Sequence, residues 1–211
     1  MYKRRLILIN IIGIVIVVGL IAGGAFFYYE NNNFVRTDDA VVSADIMQVV
    51  APASGVLKDW NMKAGKHVAK TEAIGKVSDG KETLPVHAMD SGTVIKNEAK
   101  ANEMVQAGQV LAETADMNNL YITANIKETD IKNIEVGNSV DITVDGDADT
   151  TFNGTIQEIG YATNSVFSAL PSENSSGNYT KVTQKVPVKI SIQSPSSKVL
   201  PGMNAEIKIS I

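Results

Sequence analysis

Two stretches of this 211-residue chain match each other at a constant offset of 37 positions, and that internal match limits the fold more than any other feature. The segment APASGVLKDWNMKAGKHVAKTEAIGKV begins at Ala51, and AMDSGTVIKNEAKANEMVQAGQVLAET begins at Ala88. Ala51 meets Ala88, Ser54 meets Ser91, Gly55 meets Gly92, Leu57 meets Val94, Val68 meets Val105 and Ile74 meets Leu111. Each copy has a small-residue turn, a short β-forming run, a polar turn and a second β run. A single hairpin cannot bury its apolar face in water. The pattern therefore predicts two similar β-hairpin units packed as a flattened sandwich.

The N-terminus is of another kind. Leu6 to Tyr29 holds no charged residue and only Asn10 as a strongly polar side chain. As a helix rising ~1.5 Å per residue, such a run covers the ~30 Å hydrocarbon core of a bilayer. Lys3, Arg4 and Arg5 precede it, and Glu30, Asp38 and Asp39 follow. That asymmetry predicts a single-pass protein with residues 1–5 cytoplasmic, 6–29 transmembrane and 30–211 outside the cytoplasm. Phe26 to Tyr29 suit the outer interface, where amphipathic rings settle. The rival is a signal peptide cut near Ala22–Ala25, but its apolar core would exceed the usual ~7–15 residues.

From Leu120 onward, period-2 alternation resumes. LYITANI, SVDITVD, FNGTIQEIG, VPVKISI and AEIKISI read as strands, and ETDIKNI (Glu128 to Ile134) as one or two helical turns. Short strands at this spacing predict a small β-barrel or sandwich. The Ser/Asn/Gly-rich run 164–178 reads as an exposed loop. The fold class expected is thus mainly β: residues 30–41 as linker and first strand, a sandwich over 42–115, and a barrel over 116–211.

No catalytic, cofactor-binding or metal-ligating residues emerge from the sequence. Cysteine is absent, which removes disulfides and thiolate metal sites. Asp145–Asp149 spaces carboxylates like the start of a calcium loop, yet Thr150 stands where an EF-hand needs Gly and Ile156 where it needs Glu. His67 and His87 have no partners at ligand spacing. Without Lys3, Arg4 and Arg5, 16 basic residues face 23 acidic ones, a balance that argues against nucleic acid or anionic lipid headgroups as partners. No phosphate loop or nucleophile elbow appears, so no enzyme is expected.

The paired half-motifs resemble the biotinyl/lipoyl-like domain. With the stretch VRTDDAVVSADIMQVVAPASGVL, and with GNYTKVTQKVPVKISI (Gly177 to Ile192) followed by LPGMNAEIKISI (Leu200 to Ile211), the chain resembles membrane fusion proteins of the HlyD/EmrA type. That resemblance implies an adaptor docking on the extracytoplasmic face of an inner-membrane exporter. The exporter would be a major-facilitator pump or, second, an ABC exporter, and the adaptor a homo-oligomer. It also implies that the C-terminal barrel lies beside the lipoyl-like unit.

In Gram-negative members a long coiled-coil hairpin is inserted between the lipoyl halves. Here only about seven residues (Ser78 to Leu84) join them, so this is a short form. The cell then has no outer membrane, or another subunit makes that contact. Lys81 lies where carrier domains bear their modified lysine, but SDGKET matches neither Ala-Met-Lys-Met nor Asp-Lys-Ala, and Asp90 stands in HAMDSG. A biotin or lipoate carrier, or a stand-alone binding or sensor module, are the alternatives to the adaptor.

Overall fold

A computed structural model describes residues 2–167 and 183–211. Helix α1 (Tyr2–Asn33) runs without a break into strand β1 (Phe34–Ser43), so the polar run 30–33 continues the helix instead of forming a linker. Among the described residues no helix is long and apolar enough to cross a membrane. The side chains of residues 2–12 and 15, part of the expected span 6–29, lie outside that description. The large apolar side chains of α1 that are described, from Ile14 to Tyr29, are all exposed.

Two compact units follow. One comprises residues 41–122 with 194–203 and contains two four-stranded sheets. Its strands are β2 (Ile46–Val50), β3 (Gly55–Lys58), β4 (His67–Val68), β5 (Ala73–Ser78), β6 (Thr83–His87), β7 (Gly92–Asn97), β8 (Met104–Val105) and β9 (Val110–Ala115). Adding 37 to the bounds of β2, β4 and β5 reproduces those of β6, β8 and β9, and adding it to the start of β3 gives the start of β7, which runs two residues longer. The repeat is thus written into the strand boundaries, beginning five residues before Ala51.

The sheet orders are β2-β9-β7-β4 and β6-β5-β3-β8. Each sheet has a central pair from one half and both edges from the other. The expected pair of similar hairpin units packed as a sandwich is corrected in one respect: the halves interleave within each sheet. The turns follow the same symmetry. Gly65 and Asn102, 37 apart, both have positive φ (86° and 66°), as do Thr71 and Gly108 (63° and 82°). Gly65 N donates to Val94 O at 2.8 Å, and Asn102 N to Leu57 O at 2.7 Å. Each half therefore closes the other's turns.

The sandwich core holds equivalent pairs: Val49 and Val86, Leu57 and Val94, Val68 and Val105, Ile74 and Leu111. Burying each such side chain stabilises the unit by about 1.5–3 kcal/mol. Gly55 is obligatory at its crossing, since a Cβ there would lie 2.4 Å from Ser78 O; at the equivalent Gly92 it would lie 3.0 Å from Ala115 O. One pair breaks the symmetry. Trp60 Nε1 donates to Oδ1 of its own counterpart Asn97 at 3.0 Å, and Asn97 Nδ2 donates to Met62 O at 2.9 Å. The indole is accommodated because Gly75 faces it; a Cβ there would lie 2.7 Å from Trp60 Cε3.

The other unit, residues 1–40, 123–193 and 204–211, carries most of a closed barrel ordered β1-β10-β13-β12-β11-β14. Its further strands are β10 (Tyr121–Lys127), β11 (Ser139–Val144), β12 (Thr151–Ile159), β13 (Lys185–Ser191) and β14 (Asn204–Ser210), with a single helical turn α2 (Glu128–Ile131) after β10. Inward residues alternate as the sequence pattern predicts: Ile122, Ala124 and Ile126 on β10, and Val140, Ile142 and Val144 on β11. The barrel is not the contiguous block 116–211, because β1 enters it from the far side of the sandwich sequence. Of the expected loop 164–178, Asn164–Phe167 forms a 3-10 turn and the rest lies outside the described residues.

Candidate functional site

Residues Asp79 to Glu82 form the tip that joins the two sandwich halves between β5 and β6. The link is shorter than the seven residues read from the sequence, because Ser78 and Thr83 already pair as strand. Asp79 Oδ1 accepts backbone N–H bonds from both Lys81 and Glu82 at 2.8 Å. These donors, Glu82 first, hold the Asp79 carboxyl below its ordinary range. Gly80, at φ 92°, supplies the left-handed backbone the turn requires. The tip closes on itself and leaves Lys81 exposed. A groove beside it is lined by Gly55, Val56, Lys58, Gly80 and Met104.

The other weighed positions gather no chemistry. His67 is exposed on β4, and His87 Nδ1 contacts Thr71 O at 2.9 Å. Asp145–Asp147 is a 3-10 turn with Asp147 buried, not an open calcium loop. Among the described residues no group of three or more His, Asp or Glu could hold a metal ion. Asp90 is a half-buried residue in the bend before β7, and its carboxylate lies 3.6 Å from Lys70.

The densest polar geometry is at the elbow where α1 meets β1. Glu30, in the last turn of the helix, accepts from Arg36 on β1 and from Lys208 on β14, the latter at 3.3 Å. Lys208 Nζ also lies 3.7 Å from the centroid of the Phe34 ring, a cation–π geometry. Tyr29 meets the same ring edge-on, with centroids 6.2 Å apart. Asn33 Nδ2 caps the helix end by donating to Tyr29 O at 2.7 Å, and Ile211 N donates to Asn33 O at 3.0 Å. The elbow is fastened at four points, so the helix leaves the barrel wall in a defined direction. Sequence reasoning missed it: Glu30 and Lys208 are 178 residues apart, and no local pattern joins them.

A second cluster ties the barrel wall together further along. Asp39 on β1 accepts from Lys185 Nζ at 2.7 Å and from Asn125 Nδ2 at 2.9 Å, and Asn164 Nδ2 donates to Asn125 Oδ1 at 2.8 Å. Lys185 first, then Asn125, holds the Asp39 carboxyl below the usual range.

These features match known proteins unit by unit. Residues 45–116 fit the family description "YhbJ, barrel-sandwich hybrid domain", and 120–209 the "YknX-like beta-barrel domain". YhbJ of Bacillus subtilis (strain 168), named for a place in an efflux system, is 60% identical over 210 residues, covering 100% of this chain and 95% of that one. The colistin resistance protein EmrA of Acinetobacter baumannii is 28% identical over 137 residues, which are 64% of this chain but only 38% of EmrA. Among solved structures, the periplasmic adaptor protein EmrA aligns over 84% of this chain and 98% of that one, with a TM-score of 0.56 and 13% identity, a likeness of fold.

Proposed function

Since the chain belongs to the membrane fusion proteins of the HlyD/EmrA type, as a YhbJ-like short form lacking the coiled-coil hairpin, we propose that it is the adaptor subunit of an efflux system. One observation carries the reading: the match to an efflux component runs through both the sandwich and the barrel, end to end. The adaptor binds the extracytoplasmic face of an exporter and assists release of drugs or other small molecules. The chain does no chemistry of its own; its contribution is surface and geometry.

α1 is the membrane anchor, with the N-terminus cytoplasmic and residues 30–211 outside; the charge-free run Leu6–Tyr29 and its basic flank support this. The exporter is of the major-facilitator type, with an ABC exporter second, supported by likeness to EmrA. The adaptor self-associates; β2 is an edge strand with Ile46, Met47 and Val50 exposed, which supplies an apolar edge for a second copy.

The test is export itself. A strain lacking this gene should accumulate a panel of dyes and drugs more than its parent, and the full chain should restore efflux. A chain starting at residue 30 should not. Unchanged accumulation across the panel, in cells whose exporters are intact, would sink the reading.

A further inference from the structure

We infer that the cleft at the elbow of α1 and the barrel holds the headgroup of a membrane phospholipid, with its phosphate at Arg36 and Lys127. The inference rests on the anchor reading of α1. The cleft is walled by Phe26 and Phe27 from the helix, Arg36 from β1, Lys127 from the end of β10, and Asp130 and Asn133 just beyond.

The two walls differ in chemistry. On the helix side the two phenyl rings are 68% and 73% exposed, a large apolar area for a folded chain to leave in water. The chain is acidic overall beyond its first five residues, but the barrel side of this cleft departs from that balance, with two cations and an amide. Arg36 is bonded to Glu30 yet remains 52% exposed, and its guanidinium has five donors, more than one carboxylate uses. Glu30 is also shared with Lys208, so its single charge faces two cations. Lys127 is exposed at the strand end. Asp130, which accepts from Thr129 Oγ1 at 2.9 Å, also lines the cleft.

A ligand that satisfies both walls is apolar at one end and anionic, or zwitterionic, at the other. Free phosphate would meet the cations and leave the rings wet. A phospholipid lying along the outward end of an anchor helix meets both, and such a helix delivers the cleft to the headgroup layer. The fastened elbow described above keeps the two walls facing one another.

The experiment uses the full chain extracted from membranes in mild detergent, stripped of lipid and followed by native mass spectrometry. Phosphatidylglycerol should be retained at one copy per chain. Diacylglycerol, which lacks the phosphate, should bind about tenfold more weakly, the loss expected for one charge-assisted contact. Lys127→Ala should show a similar loss, with Lys127→Arg restoring retention and the urea unfolding curve unchanged. Excess inorganic phosphate should not displace the lipid.

Equal retention of both lipids, no effect of Lys127→Ala, or displacement by inorganic phosphate would each overturn the inference. An alkaline wash of the membranes separates it from the premise. A chain that stays in the pellet but retains no lipid refutes the cleft alone, whereas a chain released by the wash refutes the anchor and the cleft with it.

Discussion

In the barrel six strands close on themselves, and every described strand has a partner on both sides; in the sandwich β2 and β4 end one sheet, and β6 and β8 the other. The sandwich guards three of these edges. β4 and β8 are two residues long, and β6 carries Pro85, which has no N–H to offer. β2 has neither device and exposes Ile46 at 54%. The cores differ as well. The barrel interior is built from alternation within the strands, unbroken in β10, β11, β13 and β14, while the sandwich interior is built from residues repeated 37 apart. The lesson is one of cooperativity. The barrel depends on closure between segments distant in sequence, whereas the sandwich depends on two halves that complete each other's sheets.

Substitutions in the two cores should have the largest effects. Leu57→Ala in the sandwich and Ile142→Ala in the barrel remove fully buried side chains and should each cost about 2–5 kcal/mol. Amide hydrogen exchange should show Leu57→Ala loosening both sandwich sheets together, because each half contributes to both. Protection lost in one sheet alone would contradict the interleaved picture.

The asymmetric pair offers the next test. Gly75→Ala drives a methyl to 2.7 Å from the Trp60 ring and should cost about 1–3 kcal/mol by overpacking. The reciprocal change at the symmetry-related position, Ala112→Gly, introduces no clash and should cost about 0.5–1 kcal/mol through backbone entropy. Urea unfolding of the two variants measures the difference; equal costs would mean that the indole does not depend on Gly75. Asn97→Ala leaves the Trp60 N–H without its acceptor, and about 1–3 kcal/mol is expected from that loss.

Much of this was legible in the sequence and some was not, for physical reasons. The repeat was visible because its turn residues recur: a small or left-handed position at 65 and 102 is a backbone requirement, and Gly and Asn meet it. Its first strands were missed, since Ile46–Val50 and Thr83–His87 share little beyond Val49 and Val86, the one buried position in each. Interleaving was invisible, because alternation in a strand records which face is buried and not which neighbour bonds to its edge. The barrel strands were readable from β10 onward. The membership of β1 was not, since its neighbours β10 and β14 come only after the whole sandwich sequence.

The site divides the same way. Lys81 and its turn could be judged from local residues, whereas Glu30, Arg36, Phe34 and Lys208 are brought together only by closure of the barrel.

Smaller effects come from charge. The Asp39 carboxyl is held below its ordinary range by Lys185 and Asn125, so its contribution is present above the unfolded pKa of about 3.8 and is lost as pH falls through the folded value. The barrel should therefore be acid-labile below about pH 4, and Asp39→Asn should flatten that part of the stability profile. The pair is partly exposed, so the effect is modest and should shrink in high salt. A profile unchanged by Asp39→Asn would remove the pair from the account. The smallest effect is expected at the tip. Lys81→Ala should change neither stability nor efflux, and the intact mass of the natural chain should show no adduct there.

The central claim, that this chain is the adaptor of an exporter, is tested most directly by affinity purification of the full-length protein from membranes in mild detergent, with quantitative mass spectrometry of everything retained. The adaptor account predicts a single multispanning transporter recovered in near-stoichiometric amount. Recovery of the chain alone, in a preparation where other membrane complexes survive intact, would contradict it.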